Sequence, residues 1–83
     1  MRFYRTVFSR EALEFVVPAN DAVFGEIEAW VNRIERAPVA RGDYTEQDDD
    51  GRELQAAILA AVVITYWADD AAREVRVVRI KPL

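Results

Sequence analysis

From residue 43 onward, short runs of β-branched and aromatic residues alternate with polar turns, the pattern of consecutive antiparallel strands. The runs occupy residues 43–47, 53–60, 62–68 and 74–81. Asp48-Asp49-Asp50-Gly51 supplies the residues that tolerate positive φ in a tight hairpin, and Asp69 to Arg73 forms a second polar loop. Upstream, residues 2–8 are again β-branched and aromatic and read as a strand. Ser9 follows as an N-cap with Glu11 in the first turn, and Ala12, Leu13, Val16 and Val17 line a short helix that Pro18 ends. Leu13, Phe15 and Val17 also fit a strand. Asn20 or Asp21 caps a longer helix whose Val23, Ile27, Trp30, Val31 and Ile34 form one stripe of helical period. Glu26, Glu28, Asn32, Arg33, Glu35 and Arg36 mostly face away from that stripe, and Pro38 stops the helix.

Within the sheet, Leu54, Ala56 and Ile58 share one face of their strand, and Val62, Ile64 and Tyr66 share one face of the next. The last strand breaks phase, because Val75 and Val77 point one way while Val78 and Ile80 take the side of Arg76. Either it is buried on both faces or a bulge lies near Val77-Val78. The order of elements predicts a single α+β domain over residues 1–83. One antiparallel sheet carries one or two helices on one face, with Trp30 in the core.

Composition narrows the chemistry. An apolar share of 52% argues against disorder, and no apolar run approaches the ~18–20 residues of a membrane span. There is no apolar stretch of signal-peptide type at the start and no cysteine, so the expected compartment is the cytoplasm. Histidine is absent too, which removes the commonest general base and the commonest zinc ligand. Asp48-Asp49-Asp50 lacks calcium-loop spacing and reads as a solvated turn; no cofactor is expected. The net charge is −4, yet Arg2, Arg5 and Arg10 make the start basic, and Arg73, Arg76, Arg79 and Lys81 do the same for the end. The overall acidity weighs against general nucleic-acid binding.

Several short stretches together resemble the RelE/ParE superfamily of toxins of bacterial type II toxin–antitoxin systems. They are Ser9-Arg10-Glu11-Ala12-Leu13 after the first strand, Glu35-Arg36-Ala37-Pro38 at the helix end and Gly42-Asp43-Tyr44 at the opening of the sheet. Ile64-Thr65-Tyr66-Trp67-Ala68-Asp69 and Val75-Arg76-Val77-Val78-Arg79-Ile80 complete the set. The resemblance spans nearly the whole chain and implies a β-α-α-β-β-β arrangement. It implies one of two actions, ribosome-dependent mRNA cleavage or gyrase poisoning, and a cognate antitoxin as partner. Nuclease members carry a Gly-Arg-Tyr-like element before the penultimate strand and a Tyr or His near the end. Here Ala60-Ala61-Val62 and Lys81-Pro82-Leu83 stand in those places. Arg76, Arg79 and Lys81, on the strand that is basic in the family, remain as candidate target or phosphate contacts.

Three readings follow: a toxin-like component of a plasmid-stabilisation system, a member that has lost activity and survives as a binding module, and an unrelated small α+β domain. Phe3, Tyr4, Phe8 and Phe24 exceed the needs of so small a core. A partner helix or strand is therefore expected on an apolar groove or open sheet edge, with a self-dimer as substitute. Tyr66 is expected in the core with a wet hydroxyl.

Overall fold

The computed structural model describes residues 3–83. Its elements run β1 (Arg5–Phe8), α1 (Arg10–Val16), α2 (Asp21–Arg36), β2 (Tyr44–Gln47), β3 (Glu53–Ile58), β4 (Val62–Asp69) and β5 (Glu74–Pro82). The first and third strands are shorter than their sequence patterns, and residue 2 of the expected first strand lies outside the described residues. The helix reading of residues 10–16 holds: Ser9 is the N-cap, its Oγ accepting the Ala12 N–H at 3.1 Å. Asn20 caps α2 in the same way, its side chain accepting the Val23 N–H at 2.9 Å.

The sheet order is β1-β5-β4-β3-β2. The meander β2 to β5 is antiparallel throughout. β1 departs from the expected all-antiparallel sheet, because it pairs in parallel with β5. The chain leaves β1 at one edge, crosses through both helices to β2 at the other edge, and returns strand by strand to β1. Parallel pairing follows from counting reversals along that route: the helical connection delivers β2 antiparallel to β1, and three antiparallel steps from β2 to β5 bring the chain back to the direction of β1.

The core lies between the helices and one sheet face. Ala12, Ile27, Trp30 and Ile34 pack against Ala57, Val62, Ile64, Tyr66, Val75, Val77 and Ile80. Trp30 is buried and meets Tyr66 edge to face, with ring centroids 5.0 Å apart. Leu54 and Ala56 are also fully buried, but on the opposite face, in register with Glu46 and Tyr44.

The phase break in β5 is a bulge. Thr65 pairs with Arg79 while its neighbour Tyr66 pairs with Val77, leaving Val78 unpaired in the ladder. The extra residue turns Val77 and Ile80 to the same, helix-covered face. The bulge carbonyl is satisfied from outside the sheet, because the Ser9 hydroxyl donates to Val78 O at 2.5 Å. One serine thus caps α1 and pins the irregular turn of the last strand.

Glu35 corrects the sequence reading of α2. It does not face solvent but is buried, and its Oε2 accepts the Thr6 N–H at 2.7 Å. Its main-chain carbonyl accepts the N–H groups of Phe3 and Tyr4. The end of α2 therefore covers the outer edge of β1, which is how an edge strand is protected from stray pairing.

Candidate functional site

The face of the sheet away from the helices is where the expected contacts gather. Because of the bulge, Arg76 and Arg79, three residues apart, lie on the same face and are joined there by Lys81. Regular pleating would have sent the two arginines to opposite sides. Trp67, paired with Arg76, shares this face. The Arg52 guanidinium lies 4.0 Å from the Trp67 ring centroid and that of Arg76 lies 5.8 Å away. Nothing in the sequence pattern singled out Trp67 or Arg52; the signal was an aromatic next to the buried Tyr66, necessarily facing the other way.

The arginines on this face already have anionic partners. Arg76 Nη2 is 2.8 Å from Glu74 Oε1, and its Nε donates to Asp69 Oδ2 at 3.2 Å. Arg5 Nη2 reaches the other oxygen of Glu74 at 2.9 Å. Arg79 donates to Glu46 across the sheet. Arg52 has Asp48 at 3.8 Å. Lys81 is exposed, with no carboxylate partner among the described residues. Of the three candidate contacts, two are thus neutralised locally. A phosphate would have to displace a carboxylate to reach them.

Two of the tyrosines are poorly suited to accept a proton. The Tyr66 hydroxyl donates to Ala40 O at 3.1 Å, so the expected wet hydroxyl is tied to a main-chain carbonyl. Burial first, and the Asp43 carboxylate second, raise its pKa above the ordinary 10.0. The Tyr4 hydroxyl donates to Asp70 Oδ1 at 2.6 Å, and that hydrogen bond is the main reason its pKa is also raised. A general base must be deprotonated at working pH, and both shifts run the wrong way. Tyr44, which sequence reasoning passed over, is half-exposed on the open face and shares a cross-strand row with Ala56, Thr65 and Arg79. The Asp48 carboxylate caps its own turn, its Oδ1 accepting the N–H groups of Asp50 and Arg52, each at 2.9 Å.

The opening of the sheet is a second organised feature. Gly42 N–H donates to Gln55 Oε1 at 2.8 Å, Asp43 N–H to Ala56 O at 2.7 Å, and Asp43 Oδ2 accepts the Ile58 N–H at 2.7 Å. Gly-Asp at 42–43 is therefore a clamp that fixes the α2–β2 connection against β3.

No protein-family model and no curated protein matches the sequence. Solved structures do. A chain of the RelBE toxin–antitoxin complex from Mycobacterium tuberculosis superposes with a TM-score of 0.80 at 15% identity, covering 100% of this chain and 94% of that one. A chain of the archaeal RelE–RelB complex from Pyrococcus horikoshii OT3 superposes with a TM-score of 0.77 at 16% identity, covering 96% of this chain and 94% of that one. The chain has the RelE toxin fold. The five strands and two helices of this RelE-like domain agree with the α+β architecture expected from the sequence. Among the described residues, no helix is long and apolar enough to cross a membrane.

Proposed function

We propose that this chain is the toxin-like component of a type II toxin–antitoxin pair, held in check by a small antitoxin protein, and that it does not cleave mRNA on the ribosome. The observation that carries the reading is the match, over the full length of this chain, to RelE-fold chains solved in toxin–antitoxin complexes. Against nuclease chemistry stand the two tyrosines with raised pKa values and the arginines already paired with Glu46, Asp69 and Glu74. A missing proton acceptor removes a factor of about 10²–10⁴ in rate. Where toxicity is retained, DNA gyrase in the bacterial cytoplasm is the favoured target, and plasmid stabilisation the context.

The same ion pairs favour a second reading, a binding module that keeps its antitoxin and has lost its target. One experiment separates the readings. The chain is expressed in a bacterial host with and without the product of the adjacent gene, growth is followed, and ribosome-bound message is mapped by primer extension. Growth arrest relieved by the neighbour, without codon-specific cuts, is the expected result, and Arg76→Ala or Arg79→Ala should weaken the arrest. Complex formation without arrest selects the binding module. Codon-specific cuts refute the absence of cleavage, and Tyr44→Phe then tests the exposed phenol as the proton acceptor. Neither arrest nor complex removes the toxin–antitoxin assignment.

A further inference from the structure

The arginines of the open face are paired, whereas among the described residues Arg10, Arg33, Arg36 and Arg41 are not, and two of these four share a groove. Arg33, on the second half of α2, and Arg41, in the connection to β2, have no carboxylate or ring partner among the described residues. Both line one groove of about 390 Å³ between α2 and the end of β3, whose apolar wall includes Trp30, Ala57 and Leu59. A second groove of about 430 Å³ continues it along α2, sharing Arg33, Ile58 and Leu59. Ile58, common to both, is 46% exposed, a β-branched side chain left in water at a strand end.

The walls of this groove are already fixed. Asp43 holds the Ile58 N–H, the Tyr66 hydroxyl holds Ala40 O, and Glu26 Oε1 accepts the Ala61 N–H at 3.1 Å, tying α2 to the β3–β4 turn. A partner would therefore meet a shaped surface and would not have to order it, which lowers the cost of binding. Asp43 is the acid among the lining residues of the first groove and has one oxygen committed to Ile58, while Arg33 and Arg41 present bare guanidinium groups. Arginine beside an apolar slot recognises a carboxylate flanked by a hydrophobic side chain.

We propose that this groove seats an extended or helical segment of a protein partner that presents an apolar anchor next to Asp or Glu. The anchor fills the space beside Trp30 and Leu59, and the acid pairs with Arg33 or Arg41. The assignment deepens the reading of the chain as one half of a protein pair, and it is tested apart from toxicity. Random-peptide phage are selected against the full chain. Enriched peptides should carry Asp or Glu within a residue or two of Leu, Ile, Phe or Trp. Affinity for a synthetic copy should fall about tenfold or more in the Arg33→Glu/Arg41→Glu double variant. It should hold within about twofold in Arg10→Glu/Arg36→Glu, which changes net charge equally. Ile58→Asp should reduce binding independently, and circular dichroism of each variant checks that it is folded. Peptides without acids, no enrichment, or equal losses in both double variants would overturn the assignment. A dimer of the free chain that Arg33→Glu/Arg41→Glu dissociates would give the groove to a second copy and overturn it as well. Growth arrest relieved by the neighbouring gene's product leaves the toxin reading standing whichever way this test goes.

Discussion

Gly42 and Gly25 make a matched pair of substitutions with opposite expected signs. A Cβ at Gly42 would fall 2.5 Å from Ala56 O and 2.8 Å from both Ala56 C and Ala56 N. These are main-chain atoms of β3, which is hydrogen-bonded to β2 on one side and β4 on the other. They cannot swing aside as a side-chain tip would, so the 41–43 segment must lift away. Lifting it strains the contacts to Gln55 Oε1 and Ala56 O, and with them the tie from Asp43 to Ile58. Overpacking costs about 1–3 kcal/mol, and each weakened hydrogen bond adds about 0.5–1.5 kcal/mol. We expect Gly42→Ala to lose about 2–4 kcal/mol, a large part of the total of about 4–12 kcal/mol for a chain of 83 residues. Gly25 lies inside α2 with nothing within 4 Å of an added Cβ. Gly25→Ala should therefore gain about 0.5–1 kcal/mol from helix propensity and a restricted unfolded chain. Urea unfolding followed by tryptophan fluorescence reads both. With a slope near 1 kcal/mol per molar, about as expected for a small domain, the midpoint falls by about 2 M or more in the first and rises by about 0.5–1 M in the second. A Gly42→Ala midpoint equal to that of the parent protein would refute the close approach and the clamp built on it.

Other substitutions probe the remaining joints. Trp30→Ala should cost about 3–5 kcal/mol in the same urea assay, because the indole is buried against Tyr66. Ser9→Ala removes both the cap of α1 and the donor to the bulge carbonyl, and should cost about 1–2 kcal/mol in thermal melts. The raised pKa of Tyr66 fixes a sign for alkaline behaviour. The folded state holds the phenolic proton more tightly than the unfolded chain, so stability is full below the ordinary value of 10.0 and falls as pH rises above it. Melting temperatures from pH 8 to 11 should show that decline, and Tyr66→Phe should reduce it, leaving the part that comes from Tyr4.

Much of the fold was legible because it depends on local signals. Ser9 and Asn20 announce their helices by side-chain chemistry alone, and the stripe from Val23 to Ile34 needs no knowledge of its partner. The broken alternation at Val77-Val78 was legible as an anomaly, and the ladder resolves it as a bulge. What failed was non-local. Parallel pairing of β1 depends on where the helices deliver the chain. Glu35 reads as a solvent-facing acid by helical phase, yet the Thr6 N–H of an adjacent strand edge makes its burial favourable. The candidate site was half legible for the same reason. Arg76, Arg79 and Lys81 were found as a basic run, but Asp69 and Glu46, which pair with the two arginines, lie on other strands.

Those partners matter more for recognition than for stability. Exposed ion pairs contribute about 0–1 kcal/mol each, and those of Arg5, Arg52 and Arg76 involve guanidinium groups that remain substantially in water. Holding the fold together is therefore a weak account of why every arginine on this face meets a carboxylate. Their larger effect is on what the face will accept. A bulge collects the cations on one side, and Glu46, Asp69 and Glu74 then cancel most of their field within a few ångströms. The nucleic-acid backbone, which binds through uncompensated cations, finds few here. A protein surface that brings its own mixed charges can exchange partners with each pair and lose little. The RelE shape is thus combined with a surface suited to protein contact, which is why the free arginines of the α2 groove, and not the arginine-rich sheet, are where an acidic partner gains most.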